Sequence, residues 1–391
     1  MRTLAFKRSL GRGAVGTVYL AEIVSGQGFR RQVAVKVIHG DAEAMGDFIA
    51  RMRDEARLLG LLQDERIPAV LELVHVAGRD AVLMEYVDGV DLGRLLSLGH
   101  RVPVRALAEI GADTAGALHR AHVAADPTTR APLHVIHRDV KPANLMLTPQ
   151  GRVKLMDFGI ARARFTAREA HTGQLLLGTV NYMAPEYIVT GDVTPAADIY
   201  GLGVSLWEAA RGATFGQPRI RRERFDVHVE EALAEIETTH GPLLAILRHL
   251  LAWDPRERPP ASEVERALRA VADDLRGPSL RSWAGQVVAE ALATRASTPA
   301  PEDPAGLVGQ VHAIEPALGT TDTPEPPAPL GLPARTEPPP REATAPIPSA
   351  SAPRRRDPST FGLALKSLLL GVGIGLLVLL VIAAIVLAVK R

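Results

Sequence analysis

The run His137-Arg138-Asp139-Val140-Lys141-Pro142-Ala143-Asn144, with Asp157-Phe158-Gly159 soon after it, constrains this chain more than any other stretch. It sets out a base, a lysine, an amide and a second carboxylate in one order, and few chemistries need that order. Taken singly, an Asp or Asn is usually a turn or cap residue. A fold for this chain has to account for all of them at once.

Composition narrows the field. The 391 residues allow two domains plus further segments. Lys and Arg number 45 against 44 Asp and Glu, a formal net charge of +1, so no bulk electrostatic partner is implied. No basic run is long enough for a nucleic-acid footprint. Cysteine is absent, which excludes disulfides and thiolate catalysis and fits a reducing compartment. Met1-Arg2-Thr3-Leu4-Ala5-Phe6-Lys7 has no apolar core of signal-peptide length.

Residues 4–40 alternate apolar and polar positions with glycine punctuation and read as strands. From Asp47 to Leu62 the apolar spacing turns helical. Val70–Val76 and Ala81–Val87 read as two further strands. Leu92–Ala125 and Ala196–Leu275 are mostly helical in spacing, and Trp283–Thr294 fits one last amphipathic helix packed on that helical region. Residues 297–362, rich in Pro, Ala, Thr and Glu, bury too little apolar surface to offset backbone entropy and read as a disordered linker. Ser367–Val389 carries no charged residue. It is roughly 34 Å long at ~1.5 Å per residue, against a hydrocarbon core of ~30 Å, so a transmembrane helix is expected. Arg354-Arg355-Arg356 and Lys366 precede it and only Lys390-Arg391 follow, which favours the preceding domain as cytoplasmic and leaves no outer sensor. Gly371 and Gly375 share a face suited to helix dimerisation.

The opening run fits H-R-D-x-K-x-x-N followed by D-F-G. The chain thus resembles the eukaryotic-like (Hanks-type) bacterial serine/threonine protein kinases, and its layout is similar to the membrane-anchored members. The resemblance covers roughly residues 4–275. It implies an α+β, two-lobed protein-kinase fold: a small β-rich N-lobe and a larger helical C-lobe, then the linker and one C-terminal transmembrane helix. The expected division is a kinase domain over 1–276, an extra helix within 277–296, the linker over 297–362 and the anchor over 367–389.

The remaining motifs take their meaning from this resemblance. Gly11-Arg12-Gly13-Ala14-Val15-Gly16-Thr17-Val18 fits G-x-G-x-x-G-x-V, a hairpin whose glycines let backbone N–H groups approach phosphates. Leu10 borders it. Strand-like sequence on both sides distinguishes it from the dinucleotide version. Lys36, ending Val33-Ala34-Val35-Lys36, would grip the α- and β-phosphates while paired with a helix carboxylate, for which Glu55 is best placed. The segment Val82–Gly89 is similar to the strand and hinge joining the lobes. The backbone of Glu85 and Val87 would meet adenine, Met84 would guard the back of the pocket, Val18, Ala34 and Met146 would cover the base, and Asp91 would meet the ribose. Asp139 would act as base, Lys141 would sit by the γ-phosphate in the manner of Ser/Thr kinases, and Asn144 and Asp157 would hold Mg²⁺, with Mn²⁺ as an alternative. ATP and Mg²⁺ are therefore the implied cofactors.

The same resemblance places an activation segment between Gly159 and Ala184-Pro185-Glu186, with Thr166 and Thr172 as candidate autophosphorylation sites beside Arg138. Thr179 would contact Asp139 and Lys141. Glu186 would pair with Arg258, Asp198 would brace the catalytic loop, and His137 would stack on Phe158. Val123–Pro132 departs from the family pattern as an inserted surface hairpin. The pairs His119/His122 and His134/His137 have i,i+3 spacing but no third ligand, so a metal site is rejected. Expected partners are proteins bearing Ser or Thr and the bacterial cytoplasmic membrane, with a homodimer through the kinase domain or the Gly371/Gly375 face left open and no nucleic acid. Two rivals are weighed. A pseudokinase scaffold would have lost Lys36, Asp139, Asn144 or Asp157. A small-molecule kinase of similar fold would lack Gly178-Thr179 and Ala184-Pro185-Glu186.

Overall fold

Strand alternation decides which residues of the small lobe face the site. The computed structural model describes residues 2–13, 16–25, 28–38, 56–158, 180–296 and 303–316. Ala14, Val15, Glu55, Thr166, Thr172, Gly178, Thr179 and Ser367–Val389 lie outside the described residues, as does the Pro-rich stretch apart from 303–316. Strands β1 (Arg2–Arg12), β2 (Gly16–Ser25), β3 (Arg30–Ile38), β4 (Val70–Val76) and β5 (Arg79–Glu85) form an antiparallel sheet. Successive side chains along a strand point to opposite faces. Accordingly Val33, Val35 and Val37 enter a core with Leu4, Phe6, Tyr19, Val74 and Leu83. Ala34, Lys36 and Ile38 are left on the other face, where Ile38 packs with Ala56 and Val82. Residues 56–60 are helical, in keeping with the helical spacing read there.

A short connection, Val90–Asp91 (β6), leads into the large lobe. There it pairs with Leu145–Leu147 (β7), which pairs with Val153–Leu155 (β8) in a three-stranded sheet. Among the described residues the large-lobe helices then follow in the order α1 (Leu92–Ser97), α2 (Val104–His122), α3 (Pro185–Thr190), α4 (Pro195–Arg211), α5 (Arg222–His240), α6 (Leu244–Leu250) and α7 (Ala261–Asp274). Helix α4 is buried on every side, which suits a central helix. Pro195 opens it, where the missing N–H costs nothing, and Gly212 at φ 70° ends it in the left-handed region. Between α2 and His137 the inserted residues turn back on themselves. Asp126 accepts from the N–H groups of Thr128 (2.8 Å) and Thr129 (2.7 Å), and Ala125 bridges Pro132.

A further helix, α8 (Leu280–Ala296), joins the large-lobe core through Leu280, Trp283, Ala284, Val288 and Ala291, where one last helix was expected. One sequence expectation beyond residue 276 is corrected. Residues 303–316, expected as linker, are part of the small lobe. Val311–Ala313 (β9) pairs with β1 and Glu315–Pro316 (β10) pairs with β4, extending the sheet to seven strands in the order β10-β4-β5-β3-β2-β1-β9. The physical reason is local. Leu307 and Ile314 insert into the small-lobe core, and Asp303 accepts a hydrogen bond from the Tyr19 hydroxyl at 2.9 Å. Two apolar anchors in a polar stretch are invisible to a compositional argument. Among the described residues no helix is long and apolar enough to cross a membrane.

Candidate active site

The site face of the small-lobe sheet carries its residues in register. Val18 lies opposite Lys36 and Lys36 opposite Val82, while Ala34 lies opposite Met84. The strand expected over Ala81–Val87 runs from Arg79 to Glu85, which frees Tyr86–Gly89 to form the connection between lobes. Gly16 is required by packing, because a Cβ there would stand 2.4 Å from the Val37 carbonyl oxygen. Gly13 N–H donates to the Gly16 carbonyl at 2.8 Å and closes the glycine hairpin. A Cβ at Gly11 would meet nothing within 4 Å, so the outer rim of this hairpin opens onto space. Leu10, Gly11 and Arg12 border that rim, and Thr17 is buried beneath it.

Across from this face the catalytic loop is held as a unit. Asp139 Oδ2 accepts from Lys141 Nζ at 2.8 Å and from Asn144 Nδ2 at 3.1 Å. Asn144 Nδ2 also donates to the Asp139 carbonyl at 2.7 Å, which turns the amide oxygen away from the loop. Asn144 O in turn accepts from Met156 N–H at 2.8 Å, tying the loop to the residue before Asp157. Lys36 Nζ reaches Asp157 Oδ1 at 3.0 Å and joins the two lobes at the site. The charge of Lys36 holds the Asp157 carboxyl below its ordinary range. Both Arg138 and Asp157 adopt positive φ, 67° and 52°. Strained backbone of this kind persists only where its surroundings over-determine it.

Those surroundings are specific. The Asp198 carboxylate, at the start of α4, accepts from His137 N–H at 2.8 Å and Arg138 N–H at 2.7 Å, and His122 Nε2 lies 2.8 Å from its Oδ2. The His137 ring is fully buried. Asp139 N–H donates to its Nδ1 at 3.3 Å, so Nδ1 is unprotonated and Nε2–H donates to the Met156 carbonyl at 2.9 Å. Burial pushes the His137 imidazole below its ordinary pKa, in accord with that neutral tautomer. Phe158 stacks on it with ring centroids 4.5 Å apart.

Below the loop, Glu186 and Arg258 make a two-pronged ion pair of 2.6 and 2.9 Å. Arg258 also donates to the carbonyls of Ala196, Ala252 and Trp253 and lies over the Tyr200 ring. Tyr182 donates to Glu208 at 2.6 Å, and burial raises the pKa of both groups.

The residues fit a nucleotide with a divalent cation. The glycine rim is open to phosphates and Lys36 stands on the adjoining strand. Asp157 and the turned amide oxygen of Asn144 are hard oxygen donors. Among the described residues no group of three or more His, Asp or Glu could hold a metal alone. Mg²⁺ binds through one or two carboxylates together with phosphate oxygens, and Asp157 and Asn144 supply oxygen donors of that kind. Asp91 has one oxygen committed, since Oδ1 caps α1 by accepting from Arg94 N–H at 2.8 Å. Glu85 directs its carboxylate to Lys154 at 2.8 Å and offers the connection only its backbone.

Residues 4–267 match the family model described as the protein kinase domain. The chain belongs to the protein kinase domain family. It is 36% identical over 269 residues to the tyrosine-protein kinase MasK of Myxococcus xanthus (strain DK1622), covering 66% of this chain and 41% of that protein. It is 37% identical over 211 residues to the serine/threonine-protein kinase PknA of Mycobacterium tuberculosis (strain ATCC 25618 / H37Rv), covering 53% of this chain and 46% of that protein. The chain therefore spans less than half the length of these two curated relatives. The crystal structure of the M. tuberculosis PknI kinase domain aligns with a TM-score of 0.49 at 28% identity, covering 69% of this chain and 96% of that one.

In this kinase domain the structure brings together Lys36, Asp139, Lys141, Asn144 and Asp157, and it sets Val18, Ala34, Met84 and Met146 on the adjoining faces. Glu55 cannot be placed beside Lys36, because it lies outside the described residues. Sequence reading missed His122 as a brace for Asp198; it considered the residue only as a metal ligand. It also missed the Glu85–Lys154 pair. The alternation of β8 carries a signal for that pair, since Lys154 lies between the buried Val153 and Leu155.

Proposed function

We propose that this chain is a serine/threonine protein kinase that transfers the γ-phosphoryl group of ATP to protein hydroxyls. The observation that carries the reading is the Asp139 carboxylate, held by Lys141 and Asn144 and tied through Met156 to the Lys36–Asp157 pair. Phosphoryl transfer asks a protein mainly for positioning and charge neutralisation. Asp139 orients the acceptor hydroxyl and takes its proton. Lys141, already beside that carboxylate, offsets charge on the transferring group. Lys36 fixes the phosphates, with Asn144 and Asp157 as the residues that would hold Mg²⁺. The cation, when bound, neutralises phosphate charge.

Lysine at position 141 favours Ser/Thr over Tyr as acceptor, whereas MasK is named a tyrosine kinase. The test is full-length protein with Mg²⁺, γ-labelled ATP and a generic basic protein, beside Asp139→Asn. Label on Ser and Thr that the variant loses is the expected result. Label on Tyr alone would overturn the acceptor class. Absence of label with nucleotide binding intact would favour a pseudokinase scaffold.

Autophosphorylation is part of the proposal. Among the described residues, Arg138 Nε and Nη1 are buried and have no hydrogen-bond partner. Buried unpaired guanidinium donors are costly, and a phosphate on Thr166 or Thr172 would satisfy them. Recovering both threonines unmodified from active enzyme would sink the idea. Tethering through Ser367–Val389 rests on its uncharged apolar sequence. Full-length protein should float with anionic vesicles and a chain ending before Ser367 should not.

A further inference from the structure

The family match ends at residue 267, but residues 268–296 and 303–316 are also part of the described fold. That continuation is fastened at three places. Helix α8 begins on the large lobe, where Leu280 N–H donates to Glu109 on α2 at 2.6 Å and Trp283, Val288 and Ala291 enter the core. Near its end, Arg295 Nη1 donates to the Gly89 carbonyl at 3.2 Å, and Nη2 lies 3.8 Å from Asp88 Oδ1. Residues 303–316 then belong to the small lobe through Asp303, Leu307, β9 and β10.

The middle contact falls on the connection between the lobes, at the residues meant to carry the nucleotide. Gly89 follows Val87, whose backbone is the adenine candidate, and precedes Asp91, the ribose candidate. Its backbone is already tightly seated, since a Cβ there would stand 2.4 Å from the Leu147 carbonyl. A guanidinium bonded to its carbonyl fixes that peptide from the other side. The Arg295 charge also acts on the Asp91 carboxyl, which burial otherwise pushes up.

We propose that residues 280–296 and 303–316 form a strap across the lobes and that Arg295 is a positioning residue for nucleotide binding, acting through Gly89 and Asp88. The inference rests on the kinase reading of the site. Arg295 holds the 87–91 backbone in the geometry that meets adenine and ribose, and the two anchored ends of the strap hold Arg295. The contacts of its guanidinium are with Gly89 and Asp88, away from Asp139 and Asp157 in the chain. Its loss should therefore weaken nucleotide binding and leave the chemical step alone.

The test uses the full chain in detergent, with Arg295→Ala, Arg295→Gln and Arg295→Lys. Mg²⁺-ADP affinity is read by calorimetry, and KM for ATP and kcat by label transfer. Loss of one charge-assisted hydrogen bond predicts a rise in ADP Kd and ATP KM of roughly three- to tenfold, with kcat within about twofold. Arg295→Lys keeps the charge and should recover part of the loss. Should Arg295→Ala fail to fold, Arg295→Gln supplies the neutral comparison. Unchanged Kd and KM, or a fall in kcat alone, would overturn the strap. Failure of the unmodified protein to bind Mg²⁺-ADP would instead overturn the kinase reading beneath it.

Discussion

At the scale of single residues, the site is kept in order by groups that never meet substrate. His137 is the clearest case, because its ring must be neutral to accept from Asp139 N–H and donate to Met156. Its folded pKa lies below the ordinary 6.5, so the unfolded chain binds a proton that the folded protein refuses. Stability from this group is complete above 6.5 and is lost as pH falls toward the folded value. The slope should approach about 1.4 kcal/mol per pH unit in that window. Urea midpoints between about pH 5 and about pH 7.5 should show it, and His137→Phe, which keeps a ring against Phe158, should flatten it. His240 is depressed by burial with the same sign, so the difference between the two proteins isolates His137. The depressed carboxyl of Asp157 acts below its ordinary 3.8, outside this window. The juxtaposition of Asp139, Lys141 and Asn144 was legible in sequence because they lie within one short run. The contact between His122 and Asp198 was not, because it joins residues 76 positions apart and neither belongs to a spaced motif with the other.

At the scale of elements, α3 and the loop before α7 are locked by Glu186 and Arg258. The Arg258 side chain is 0% exposed and that of Glu186 is 14% exposed, so solvent screens the pair little. Arg258→Met would strand the Glu186 carboxylate and orphan three carbonyls. The expected loss is about 3–5 kcal/mol, read as a fall in urea midpoint without a change in m-value. The small-lobe sheet makes a second case. Its β1 and β4 edges come close enough for Arg2 and Glu72 to pair at 2.7 Å, and Val311–Pro316 reaches both. Leu307, 4% exposed, pins that stretch to the core. Leu307→Ala should cost about 2–5 kcal/mol and speed amide exchange in β1 and β4 first. The five principal strands were readable from alternation, and the main helices from apolar spacing. Residues 303–316 were not, since two apolar residues among Pro, Ala and Gly carry no period. Only the partner surface, a curled sheet with two open edges, gives them somewhere to go.

At the scale of the whole domain, the contacts between the two lobes include the Lys36–Asp157 and Glu85–Lys154 pairs and the 86–89 connection. Anything that binds both lobes should therefore stabilise the domain as one unit. A ligand bound only by the folded state adds about 2.7 kcal/mol at a free concentration of 100 times its Kd. Mg²⁺-ADP at that ratio should raise the unfolding midpoint of the domain in one transition. ADP with chelator should raise it less, because Asp157 and Asn144 then face phosphate oxygens without the cation that reconciles their negative and polar groups. Asp157→Asn should narrow the gap between the two conditions, since it removes the ionised ligand while keeping an oxygen donor. The same substitution also removes one partner of Lys36, so the ligand-free protein should unfold earlier; about half of that carboxylate is exposed, which keeps the effect small. Scanning calorimetry separates the two consequences. If Mg²⁺ adds equally to the unmodified protein and to Asp157→Asn, the cation is held elsewhere and the assignment of the metal ligands is wrong.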